Sequence, residues 1–172
     1  MAKKTVFVTV FAAILCIAGM VTHVQADVAP FQLSLTPDIA IHSSTTRIDG
    51  VALNIWGENP QRALVLGLIN GSSGTSSGVS LGLLANYSEN FTGVKVAGFA
   101  NYCSGRMSGV ELAWFNHAYE LHGVQLGLIN FAEKADKGLQ IGLINVIKNN
   151  IYWFGGLPEQ LAPMMLLVNW RY

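Results

Sequence analysis

Apolar and polar residues alternate with period two along most of this chain, and the alternation comes in copies. Residues 63–70 read Ala-Leu-Val-Leu-Gly-Leu-Ile-Asn, and related phrases begin at Gly78, Gly93, Gly109, Gly123 and Gly138. The starts are 15, 15, 16, 14 and 15 residues apart. Period two predicts strands rather than helices, and so even a spacing marks a repeat architecture. The even positions of each phrase are apolar, as in Val110, Leu112 and Trp114 or Val124, Leu126 and Leu128. The odd positions open on a polar residue (Ser80, Lys95, Glu111, Gln125, Gln140). They continue with a small one (Gly82, Ala97, Ala113, Gly127, Gly142) and turn apolar again (Leu84, Phe99, Phe115, Ile129, Ile144). The pieces between phrases, 71–77, 88–92, 104–108 and 133–137, are polar or rich in glycine and serine. They predict turns of about five residues after strands of about ten. Residues 31–35 and 51–56 predict two earlier strands, and 164–172 a last one.

Two architectures use such a repeat. The leading expectation is all-β: an antiparallel up-and-down β-barrel of about 8–10 strands in a bacterial outer membrane. The phrases have the length of a membrane strand, about 9–11 residues. Their even face is a continuous apolar band, and a narrow barrel would bury the apolar half of the odd face in its interior. Met164, Leu166, Val168, Trp170 and Tyr172 alternate and end on an aromatic residue, the pattern of a barrel-assembly signal. A barrel needs an even number of strands. The nine visible candidates therefore leave eight or ten, with 151–154 (Ile-Tyr-Trp-Phe) as a possible tenth. The alternative is a β-solenoid, each repeat one coil of a parallel stack. The single-strand repeat unit and the nearly equal turns favour it. In a solenoid Asn70, Asn86, Asn101, Asn116, Asn130 and Asn145 would stack as a ladder, and Lys95 would pair with Glu111. It would also leave Phe99, Phe115 and Ile129 exposed as an unusually large apolar patch.

The N-terminus changes the picture of address. Lys3 and Lys4 precede an apolar run of 17 residues, Thr5 to Val21, and Val24-Gln25-Ala26 ends in small residues. This is the pattern of a secretory signal peptide, with cleavage expected after Ala26. Removing residues 1–26 from the 172 leaves 146, with ten acids, eight bases and Cys103 as the one cysteine. A single domain, 27–172, is expected, with repeats over about 63–150. Only 12% of the full chain is charged, for a net charge of zero, against about 25% in typical soluble domains. No basic cluster supports nucleic-acid binding. The expected partners are outer-membrane lipid and the barrel-assembly machinery.

The phrase Gly138-Leu-Gln-Ile-Gly-Leu-Ile-Asn145, the segment Gly155-Gly-Leu-Pro158 and the ending Val168-Asn-Trp-Arg-Tyr172 resemble a family of small exported bacterial surface-repeat proteins with GLQxGLxN-type repeats. The resemblance covers roughly residues 49–172, and the copies at 93 and 109 depart from it with alanine at the fifth position. It implies a surface or envelope address and carries no assigned activity.

Candidate chemistry is sparse. His117, Glu120 and His122 lack the helical spacing of a zinc-protease motif. The glycine-rich segment 71–78 has neither the lysine nor the following helix of a phosphate-binding loop. His42, Ser43 and Ser44 lie together, and Ser104, Ser108 and Glu120 fall in turns, but nothing gathers them as a lipid-modifying enzyme would require. Cys103 has no activating neighbour in sequence. No catalysis, cofactor or metal is expected; the expected role is structural or surface-interacting, with an exported soluble solenoid presenting a binding face, or a lipid-modifying barrel enzyme, as the alternatives.

Overall fold

The computed structural model describes residues 28–172, so the predicted signal segment lies outside the described residues. The strands are β1 (Val28–Thr36), β2 (Ile39–Ala40), β3 (Arg47–Glu58), β4 (Arg62–Ala97), β5 (Ala100–Leu112), β6 (Phe115–Leu126), β7 (Ile129–Ile147) and β8 (Met164–Arg171). All join one eight-stranded sheet in the order β2-β1-β3-β4-β5-β6-β7-β8. The pairs from β1–β3 through β6–β7 are parallel. Only β2 on β1 and β8 on β7 are antiparallel.

The fold is therefore a β-solenoid and not the expected antiparallel barrel. Register follows the repeat: Gly93 pairs with Gly109, Gly109 with Gly123 and Gly123 with Gly138. A parallel neighbour requires the chain to travel back a dozen or more residues before pairing, and one repeat supplies that return. The question of eight or ten membrane strands lapses, because nothing closes into a ring. Residues 151–154 form no strand; 152–154 make a bend that leads into a turn at 155.

The pieces expected as free turns also pair. Residues 71–77 belong to the continuous β4, and 104–108 to β5. In a parallel stack even a bent backbone finds its donors and acceptors in the coil above and below. Irregularity is confined to bulges such as those between Ser88 and Phe91 and between Cys103 and Arg106.

The odd face is split, which corrects the burial expected for a barrel and agrees with the exposure expected for a solenoid. Ser80, Lys95, Glu111, Gln125 and Gln140 point into the lumen. Leu84, Phe99, Phe115 and Ile129 point outward. Bends at 98–99, 113–114 and 127–128 place two consecutive residues on the outside. Each corner thus shifts the phase by one residue, and in a strand such a shift exchanges the two faces.

Two polar ladders hold the coils in register. Asn54, Asn70, Asn86, Asn101, Asn116, Asn130 and Asn145 form the first, each Nδ2 donating to the next Oδ1 over 2.8–3.2 Å. The same amide group also reaches backbone carbonyls, Asn116 to Leu126 at 2.9 Å and Asn130 to Ile141 at 3.0 Å. The second ladder runs Lys95–Glu111 (3.1 Å), Gln125 to Glu111 (2.9 Å) and Gln140 to Gln125 (2.8 Å). Lys95 Nζ also donates to Ser88 Oγ and the Tyr102 carbonyl. Apolar clusters fill much of the rest, with Phe91, Cys103, Met107 and Leu121 in one and Ile48 and Val65 in another, beside buried serines such as Ser76 and Ser80.

Both ends are capped. At the first coil Gln32 bonds the backbone of His42 and the side chain of Asn59. At the last, Arg171 bonds Gln160 and Asn149, and Trp170 Nε1 donates to the Pro158 carbonyl.

Two substitutions test this architecture by equilibrium denaturation. Gly109 has φ 131°, and an added Cβ would run into the Gly93 carbonyl. Gly109→Ala is expected to cost at least about 1–3 kcal/mol; an unchanged midpoint would contradict the close coil spacing. Lys95→Met, which strands the buried Glu111 carboxylate, is expected to lose about 3–5 kcal/mol, and the Lys95→Met/Glu111→Leu pair to recover most of it.

Candidate docking surface

The first side of every coil turns its even positions outward. Phe31, Leu33 and Leu35 of β1 lie beside Val51, Leu53 and Ile55 of β3, and these beside Leu64, Leu66 and Leu68 of β4. Farther along, Val94 and Val96 lie beside Val110 and Leu112, then Val124 and Leu126, then Leu139 and Ile141. No outward position in these rows is polar or charged. Rows about 4.8 Å apart, with residues about 3.3 Å apart along each, give a face of roughly 500 Å² in projection from β1 to β7. A typical monomer's largest apolar patch is about 300–600 Å² of accessible surface. The corrugated face exceeds its own projection, which places it at the upper end of that range, the size at which such patches are often functional. Leu33, Leu53, Leu66 and Leu81 line a shallow hollow of about 540 Å³ in the N-terminal half of the face.

The apolar surface continues around the corner. Leu83 and Leu84, Trp114 and Phe115, and Leu128 and Ile129 are consecutive exposed pairs, and Phe99 follows Gly98 at the same bend. The solenoid alternative anticipated the exposure of Phe99, Phe115 and Ile129 but not their outward-facing partners Leu83, Trp114 and Leu128 on one ridge. Its signal was two adjacent apolar residues in each phrase, a local break in strict alternation.

The second side carries an aromatic row. The Tyr102, His117 and Phe131 rings stack with centroids 4.8 and 5.4 Å apart. Trp56 Nε1 donates to the Tyr87 hydroxyl (3.0 Å), which donates to Glu58 Oε2 (2.6 Å). Beyond it Arg106 pairs with Glu120 and Lys148 with Glu133, both at 2.6 Å, and His122 Nδ1 lies 3.4 Å from Asp136.

These contacts place the sequence candidates. His117, Glu120 and His122 are engaged separately, by a ring stack, an arginine and an aspartate. Among the described residues no three His, Cys, Asp or Glu side chains come together as a metal site. His42 contributes its backbone to Gln32, while Ser43 Oγ lies 2.7 Å from Thr45 Oγ1. Ser104 Oγ lies 3.4 Å from the Ser88 carbonyl, a long contact. Cys103 is fully buried in the lumen, with Sγ 3.1 Å from the Glu89 carbonyl. Met164, Leu166, Val168 and Trp170 lie on β8, which covers the last coil with Leu139 opposite Trp170 and Ile141 opposite Val168. Tyr172 follows and bonds Glu159 through its backbone. In the solenoid this alternation serves a cap strand.

No family model, curated protein or solved structure matches this chain. Geometry alone therefore singles out the apolar side and its corner as the candidate site.

Tyr87 offers a spectroscopic handle on the neighbouring side. Burial, followed by its hydrogen bond to Glu58, pushes its pKa up from 10.0 to about 12, although the Trp56 hydrogen bond acts the other way. The folded state favours the neutral phenol. The associated stability is present below pH 10 and is lost as pH rises toward about 12. Tyrosinate absorbance should show a late-titrating residue that disappears in Tyr87→Phe; a parent titrating uniformly near 10 would refute this environment.

Proposed function

We propose that this chain is an exported, non-catalytic β-solenoid whose apolar side docks on a partner in the bacterial envelope. The observation that carries the reading is the uninterrupted set of outward apolar positions from β1 to β7. Polar residues are abundant in the repeat, but its lysine, glutamate, glutamines and asparagines turn into the lumen. A protein operating free in water gains nothing from that arrangement, whereas a covered surface explains it. The signal-like N-terminus and the resemblance to surface-repeat proteins support the envelope address. The engagement of His117, Glu120, His122 and Cys103 in structural contacts supports a role without catalysis.

Cell fractionation tests this reading. Leu66, Leu81 and Leu112 are partly exposed on the face, so Leu66→Lys/Leu81→Lys/Leu112→Lys should keep the circular-dichroism spectrum and lose no more than about 1–2 kcal/mol, since surface changes are usually within about 0.5 kcal/mol each. The parent chain is expected in the envelope fraction and the triple variant in the soluble fraction. Parent and variant both soluble would remove the docking role.

A further inference from the structure

We infer that the partner is a lipid bilayer, entered by the corner ridge; the inference rests on the docking reading above. Within the coils from β3 to β7 the most exposed apolar residues do not lie in the middle of the flat side, where a second protein would cover them. They stand on the convex corner: Leu83 is 71% exposed, Trp114 62% and Phe99 59%. Two flat sheets packing face to face meet across their middles and would leave this ridge in water at the rim. Acyl chains, being fluid, close around a convex edge without a complementary shape.

The backbone fits the same solvent. A segment entering hydrocarbon must satisfy its N–H and C=O groups internally. At the corner these bonds run from coil to coil: Phe99 N–H to the Leu84 carbonyl at 2.9 Å, Phe115 to Phe99 at 3.0 Å, Ile129 to Trp114 at 2.9 Å and Ile144 to Leu128 at 2.9 Å. The ridge can therefore enter the interface without carrying those donors in unpaired. The ridge residues named carry no charge; on the second side Glu58 and Lys148 lie against the aromatic row, Glu58 on Tyr87 and Lys148 over Phe131.

A second protrusion has the same character. Ile151, Tyr152, Trp153 and Phe154 are four consecutive residues, each more than half exposed. A loop tip serving only as a connection favours small or polar residues; aromatic and aliphatic side chains at a tip suit the headgroup–acyl boundary, where such rings concentrate. A flat protein–protein contact on the first side explains neither the ridge nor this loop, and a lipid surface accommodates both.

Flotation of the purified exported chain with phosphatidylcholine vesicles, with and without phosphatidylglycerol, tests the inference. The chain should float with both and keep floating at high salt, because the inserted surface is apolar. Fluorescence should shift to the blue and be quenched by acyl-brominated lipid, with the quenched component reduced in Trp114→Phe and removed in Trp114→Phe/Trp153→Phe. Leu83→Glu/Leu128→Glu should retain the circular-dichroism spectrum and lower vesicle partitioning about tenfold or more. Absence of flotation, or a stable dimer in sedimentation that excludes vesicles, would overturn the bilayer as partner, and quenching that survives Trp114→Phe unchanged would overturn entry by the ridge. If the chain stays with the cell envelope yet ignores vesicles, docking stands with a protein partner and the lipid inference alone falls; if both measurements fail, both readings fall.

Discussion

Parallel stacking places each residue beside its counterpart in the next coil, about 4.8 Å away, and the rest of the structure follows from that spacing. A side chain in such a stack meets copies of itself. Asparagine suits the position because its amide both donates and accepts along one axis, so each copy satisfies the next. Glycine suits the phrase starts because the adjacent carbonyl occupies the room a Cβ would need. Lysine could not stack on lysine. Lys95 faces Glu111 instead, and the ladder passes from an ion pair to the neutral amides of Gln125 and Gln140.

This constraint also explains an interior more polar than an ordinary core. Buried polar groups are costly when unpaired, but in a repeat each is offered a partner at every coil. The lumen can hold the Asn and Gln ladders because their members are hydrogen-bonded, while Phe91, Met107 and Leu121 fill the width left over. With the polar residues of the first side directed inward, strict alternation directs valine, leucine and isoleucine outward. Apolar exterior and polar lumen are two consequences of one pattern.

A stack must also end, and an open strand edge is a template for unwanted pairing. The last coil is covered by β8, which runs against the direction of the stack and so breaks the parallel register. Beyond it, Gln160 pairs with Arg171, Leu161 bonds the Trp170 carbonyl and Asn150 bonds Asn169. The first coil is closed more lightly, by the short β2 and the Gln32 bonds to His42.

The repeat, its strands, the outward apolar band and two of the interior contacts were legible in the residues themselves. Any coil-by-coil stacking of copies 14 to 16 residues apart brings Asn over Asn and Lys95 over Glu111. Strand direction was not legible, because period-two alternation is identical whether the next strand runs up or down; this is why the barrel was expected first. The corner was hidden for a related reason: alternation assigns faces only while the strand stays straight, and a bend that turns two neighbours outward resets the phase. Phe99, Phe115 and Ile129 thus lie on the surface, as the solenoid alternative required, and not in the interior that a barrel would have given them. Local sequence determined which residues alternate; the backbone hydrogen bonds between coils, which require the whole stack, decided what each of them faces.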